Sequence, residues 1–219
     1  VLAADDLIKK GKTVAADVLE VAESDVEFLD GQFRVIGTDR SIDWFELAGR
    51  TDAGTLEVIR ANEMQTPVFP NGCHICEVEL DPETGATKLT RYTAIDDVGR
   101  AINPMIVHGQ THGAVAQGLG QAMLESCVVD PGTGQVLTGS LMDYGLPRAA
   151  DVPSFNVALN EVLSPTNPLG IKAGGEGGTT VSPVAYTNAV LDALKDFGVS
   201  DIPMPLTPHR IWRAIRGTA

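Results

Sequence analysis

CEVELDPETGATKLTRYTAI, residues 76–95, is two runs of alternating apolar and polar side chains joined by Asp81-Pro82-Glu83-Thr84-Gly85. A period of two buries one face of a strand and wets the other. Proline pre-sets the first turn residue and glycine takes the left-handed exit. The stretch therefore predicts an antiparallel hairpin, whereas a doubly wound fold needs a long crossover between neighbouring strands.

Upstream, VEFLDGQFRVIG (26–37) repeats the pattern around Asp30-Gly31, the favoured two-residue hairpin turn because both positions tolerate positive φ. Residues 4–20, with Leu7, Ile8, Val14, Val18 and Leu19 at helical spacing, predict an amphipathic helix with Gly11 as its weak spot. Downstream, Asp130-Pro131-Gly132-Thr133-Gly134 echoes the first turn and is assigned no catalytic role. Ser182-Pro183 is expected to open a helix that Gly198 closes, and Thr207-Pro208 one that Gly217 closes. Residues 144–178, rich in Pro and Gly, read as irregular loop lying over a site. Helices and hairpins interleave without a βαβ rhythm, so the expected class is α+β with mixed or antiparallel sheets and packed helices.

Sixteen basic against 29 acidic residues leave a net charge of -13, the wrong sign for neutralising nucleic-acid phosphates. No apolar run approaches the roughly 18 residues of a membrane span, so a cytoplasmic globular protein is expected. The chain opens on Val1 rather than Met and reads as a piece of something longer. Three cysteines fit a reducing compartment better than a disulfide framework. Cys73-His74-Ile75-Cys76 lacks the second ligand pair of a zinc site, and strand alternation sends its two thiols to opposite faces.

Two segments carry candidate chemistry. Residues 106–125 have helical spacing yet hold Gly109, Gly113, Gly118 and Gly120, each costing a helix about 1 kcal/mol against alanine. Either another helix packs closely, for which Gly109 and Gly113 have the right spacing, or a ligand approaches the backbone, with Gln110, Gln117 and Gln121 offering amides. His108 and His112 share a face, but Gly-Gln-Thr between them lacks the carboxylate of a zinc-protease helix. KAGGEGGTT (172–180) sets one carboxylate, Glu176, between paired glycines. It matches neither a phosphate-binding loop nor a dinucleotide fingerprint. A backbone stripped of side chains lets a bulky group come close, and Glu176 is the one proton acceptor left there; a charged surface turn is the plain alternative.

Together, DDVGRAINP (96–104), GQTHGAVAQGLGQAMLE (109–125), DYGLPRAADVP (143–153), GIKAGGEGG (170–178) and MPLTPHRIWRAI (204–215) resemble the molybdenum hydroxylases, the family of xanthine dehydrogenase, aldehyde oxidase and aerobic carbon monoxide dehydrogenase. The resemblance implies the C-terminal portion of a molybdopterin-binding large subunit, with residues 1–64 as its helix-and-hairpin segment and 65–219 carrying the glutamate loop. It makes Glu176 the general base in oxidative hydroxylation of an aldehyde, N-heterocycle or similar small molecule, with water as oxygen source. The cofactor, molybdenum-molybdopterin in its cytosine dinucleotide form, would lie against Gln110, Gln117, Gly118, Gly174 and Gly175, and no side chain here would ligate the metal. Expected partners are the remainder of the large subunit and subunits bearing 2Fe-2S clusters and FAD, so the chain alone would lack a complete active site. Gly177 follows Glu176 where xanthine and aldehyde oxidisers commonly have proline, which resembles the carbon monoxide dehydrogenase-like branch and leaves the substrate open. The rival expectation is a non-catalytic scaffold or cofactor-delivery domain, which has no need of a base.

Overall fold

In the computed structural model, which describes residues 1–61, 63 and 66–217, the chain divides into two units, Val1–Glu63 and Met64–Ala219. In the first, α1 (Leu2–Leu19) precedes an antiparallel sheet of β1 (Val26–Leu29), β2 (Gln32–Val35) and β3 (Ser41–Asp43). Asp30 and Gly31 take φ of 51° and 77°, closing the β1–β2 hairpin in the expected two-residue turn. Asp43 accepts from the amides of Phe45 and Glu46 at 2.8 and 2.9 Å and so caps α2 (Trp44–Gly49). Gly11 is no weak spot: the Phe33 ring occupies the place where its Cβ would stand, and that ring is fully buried beside Phe28 and Trp44.

The second unit is built on the hairpin of β4 (Asn71–Leu80) and β5 (Thr87–Asp97). Asp81 receives the Glu83 amide at 2.9 Å and the Thr84 hydroxyl at 2.7 Å, and Gly85 turns out with φ 73°. α5 (Pro208–Ile215), capped by the Thr207 hydroxyl as expected, packs on this turn so closely that a Cβ on Gly85 would lie 2.7 Å from the Trp212 nitrogen. A third strand, β6 (Asn156–Leu159), pairs parallel to β5 inside the stretch expected to be irregular, and makes the sheet mixed. Its four residues are too few for periodicity to distinguish them from loop.

Against the sheet lie α3 (Pro104–Met123) and α4 (Gly177–Leu194). Their core includes Tyr92, Leu119, Tyr186, Val190 and Leu194, all fully buried, worth about 1.5–3 kcal/mol for each aliphatic side chain. α4 does not begin at Ser182-Pro183; it starts at Gly177, about one and a half turns earlier, with Pro183 inside it. Proline removes a helical hydrogen bond and crowds the carbonyl four residues back. Burial of Ser182, Pro183, Tyr186, Val190 and Leu194 along one side overrides that local stop signal.

The helices touch through glycines other than those expected. Gly109 and Gly113 have nothing within 4 Å of a Cβ position. On Gly118, by contrast, a Cβ would overlap the Ser182 hydroxyl and stand 3.1 Å from the Thr179 carbonyl. From the other side, a Cβ on Gly178 would stand 2.8 Å from Ala114 Cβ and 2.9 Å from the Val115 nitrogen. Thr179 ties the two helices further by donating its hydroxyl to the Ala114 carbonyl at 3.0 Å. Among the described residues no helix is long and apolar enough to cross a membrane.

The contrast between these glycines is measurable. Gly178→Ala should lower the unfolding free energy by about 1–3 kcal/mol through overpacking. Gly109→Ala, on the open side of the same helix pair, should raise it by up to about 1 kcal/mol; urea denaturation of both variants provides the check.

Candidate functional site

Because α4 starts at Gly177, Glu176 is its N-terminal cap residue, with φ −103° and ψ −8°. Its backbone carbonyl accepts from the Thr180 amide at 3.0 Å and the Thr180 hydroxyl at 2.9 Å. Its side chain caps nothing. The carboxylate is exposed, on the wall of a cavity of about 410 Å³. Gly174, Gly175 and Gly177 form the bare backbone on its own side, and the start of β4, the end of β5 and Val181 of α4 complete the wall. No atom lies within 4 Å of a Cβ position on Gly175 or Gly177, whereas one on Gly174 would stand 2.6 Å from Val98 Cγ1. The loop thus presses on the sheet at one glycine and opens to the cavity at two.

What fixes this loop is a buried ion pair. Lys172 Nζ lies 2.5 Å from Asp97 Oδ2, the two side chains only 10% and 9% exposed. The other oxygen of Asp97 accepts the amides of Gly99 and Val162 at 2.8 and 3.0 Å. Backbone bonds from Lys172 to Val98 (2.8 Å) and from Arg100 to Gly170 (3.0 Å) complete the clamp. Burial alone would raise the Asp97 pKa, but the hydrogen bond from Lys172, the two amides and the Lys172 charge outweigh it and hold the carboxyl below its ordinary value.

Behind the cavity runs a buried chain of polar groups to which sequence reasoning assigned no role. The Tyr92 hydroxyl lies 2.8 Å from His74 Nδ1, His74 Nε2 lies 3.0 Å from Asp96 Oδ1, and Thr111 of α3 donates to Asp96 Oδ2 at 3.2 Å. His74 and Asp96 both line the cavity. The available signal was the alternation of β4, which puts His74 on the inward side with Cys76 and Val78. Burial pushes the Cys76 thiol up to about 12, aided by the Glu77 charge, which makes it an inert packing group. Cys73 is exposed on the other face, as strand alternation requires.

The expected site residues divide into three sets. Glu176, Gly174 and Gly175 line one cavity. Gln110 and Gln117 are exposed on α3, on the side of Gly109 and Gly113, and do not line it. Gly118, expected to face a cofactor, is instead buried against α4; its missing side chain serves helix packing. His112 donates from Nδ1 to the His108 carbonyl at 2.7 Å, and among the described residues no group of three or more His, Cys, Asp or Glu could hold a metal ion.

Comparison with known proteins gives this geometry its context. A family model described as the molybdopterin cofactor-binding domain matches residues 1–153. The chain belongs to that family, the cofactor-binding domain of molybdenum hydroxylase large subunits. It is 34% identical over 224 residues to the carbon monoxide dehydrogenase large chain of Hydrogenophaga pseudoflava, a match covering 98% of this chain and 28% of that one. With the nicotine 6-hydroxylase large subunit of Paenarthrobacter nicotinovorans it shares 36% over 215 residues, 93% of this chain and 26% of the relative. Among solved structures, quinoline 2-oxidoreductase from Pseudomonas putida 86 matches with a TM-score of 0.82 and 37% identity over 98% of this chain and 28% of its own. Reconstituted CO dehydrogenase from Oligotropha carboxidovorans matches with 0.83 and 32% over 99% and 28%. The chain therefore spans little more than a quarter of the length of these relatives.

The Lys172–Asp97 clamp has a pH signature. A carboxyl whose pKa is lowered on folding adds stability that is whole above its ordinary value of 3.8 and is lost as pH falls through the folded value. The stability gap between wild type and Asp97→Asn should thus be constant from neutral pH to the ordinary carboxylate range and close below it, measured by urea denaturation across a pH series.

Proposed function

We propose that this chain is a portion of the large subunit of a molybdenum hydroxylase and supplies its general base, Glu176. The reaction is oxidative hydroxylation of an aldehyde, N-heterocycle or similar small molecule, with water as oxygen source. The observation that carries this reading is the placement of Glu176, a carboxylate without a hydrogen-bond partner among the described residues, on the wall of a cavity edged by bare glycine backbone.

The residues present fit a large planar cofactor. Gly175 and Gly177 leave open space where side chains would stand, and Gly109 and Gly113 do the same beside the exposed amides of Gln110 and Gln117. We assign Gly174, Gly175, Gln110 and Gln117 to holding the molybdenum-molybdopterin group, in the cytosine dinucleotide form by analogy with bacterial relatives. When bound, that group supplies the two-electron acceptor and activates water. Glu176 receives the proton released as the new bond to oxygen forms, which requires the carboxylate within hydrogen-bond reach of the proton it takes. Lys172 and Asp97 keep the loop in place while it does so, and Val98 and Val181 give the cavity wall apolar surface.

The remainder of the large subunit completes the pocket in this reading. Electrons leave through 2Fe-2S clusters and FAD on partner subunits in this reading, since the three cysteines of this chain are fewer than the four thiolates that hold a 2Fe-2S cluster.

In the intact complex, Glu176→Gln should cut turnover by about 100-fold or more while molybdenum content per complex stays at the wild-type level. Undiminished turnover in that variant would leave only a non-catalytic scaffold role for the loop.

A further inference from the structure

We propose that Asp96 is a second, specificity-determining carboxylate of the Glu176 cavity, selecting ligands that carry an N–H donor or a positive charge over anionic ones. The proposal rests on the reading of this cavity as the ligand site.

Asp96 sits near the end of β5 with its side chain only 12% exposed, yet it forms part of the cavity wall. Three elements hold it. His74 of β4 contacts Oδ1 at 3.0 Å, Thr111 of α3 donates to Oδ2 at 3.2 Å, and Gly72 backs onto the carboxylate so closely that a Cβ there would lie 2.6 Å from Oδ1. The direction at Asp96 follows from the acceptor. A carboxylate can only accept, so His74 Nε2 carries a proton and donates to Asp96 Oδ1.

A carboxylate offers about four lone-pair directions, and this chain fills one on each oxygen. Acceptor capacity therefore remains on a group that cannot rotate away. Among the described residues the ionisable lining groups are His74, Asp96 and Glu176, with no Lys or Arg, and the nearby Lys172 is taken by Asp97. The rest of the lining includes Val68, Phe69, Val98 and Val181. An apolar body with a donor at one edge matches that surface, whereas an anion meets two carboxylates and, among the described lining residues, no Lys or Arg to pair with. In this arrangement His74 is a positioning residue, acting only through Asp96.

Matched aromatic probes test the idea on the intact complex: benzamidine as cation, benzamide as neutral donor and benzoate as anion, each titrated calorimetrically. Wild type should bind benzamidine at least about tenfold tighter than benzoate, with benzamide between them, the size expected of one charge-assisted hydrogen bond. Asp96→Asn should narrow that ratio by about tenfold, while Thr111→Val, which removes a donor but no charge, should keep it. Equal binding of benzoate and benzamidine to wild type overturns the proposal, a readout that does not depend on any variant folding. An unchanged ratio in Asp96→Asn, or its loss in Thr111→Val, overturns it too. None of these results bears on the role of Glu176 as base, which turnover of Glu176→Gln decides separately.

Discussion

The contact between α3 and α4 through Gly118 and Gly178 is the constraint on which the site depends. Each glycine meets backbone or short side-chain atoms of the opposite helix at distances that no Cβ could share. Close approach lets α4 run on through Gly-Gly-Thr-Thr-Val-Ser, a sequence of poor helix formers that would not form a helical turn unaided. Were α4 to begin at Ser182 instead, Glu176 would lie on a free loop. With the helix continuing to Gly177, its first turn delivers the carboxylate to the cavity wall.

A second constraint acts from the sheet side. Asp96 and Asp97 are successive residues of β5, so their side chains leave opposite faces of the strand. One is tied to Lys172 and holds the glutamate loop; the other is tied to His74 and Thr111 and forms part of the cavity floor. The two adjacent carboxylates thereby couple loop, sheet and α3 around the cavity. Both are buried and both are hydrogen-bonded on each oxygen, the condition under which a buried charge can be tolerated, and Asp96 keeps acceptor capacity toward the cavity.

The hairpins were legible in the sequence because turn chemistry is local: Asp30-Gly31 and the Asp81 to Gly85 turn do in the structure what their residue types demand. So was α5, whose Thr-Pro start and Gly end agree with its packing. The start of α4 was not legible, since Ser182-Pro183 carries the same local signature as a helix opening and only burial against α3 overrides it. Strand β6 was hidden by its shortness. The glutamate between glycines stood out as a candidate by its residue types alone. The His74–Asp96 chain did not, because its members come from β4, β5 and α3, and nothing in the linear order of residues 74, 92, 96 and 111 announces that they meet.

Belonging to the molybdopterin cofactor-binding domain family gives the cavity a chemical context, and the placement of Glu176 within it is the central claim. A crystal structure of the cofactor-loaded complex tests it most directly. The account predicts density for the pterin-bound metal at the cavity bounded by Gly174, Gly175 and Gly177, with the Glu176 carboxylate turned toward the metal's ligands. Density for the group elsewhere, with that carboxylate directed to bulk solvent, would contradict it.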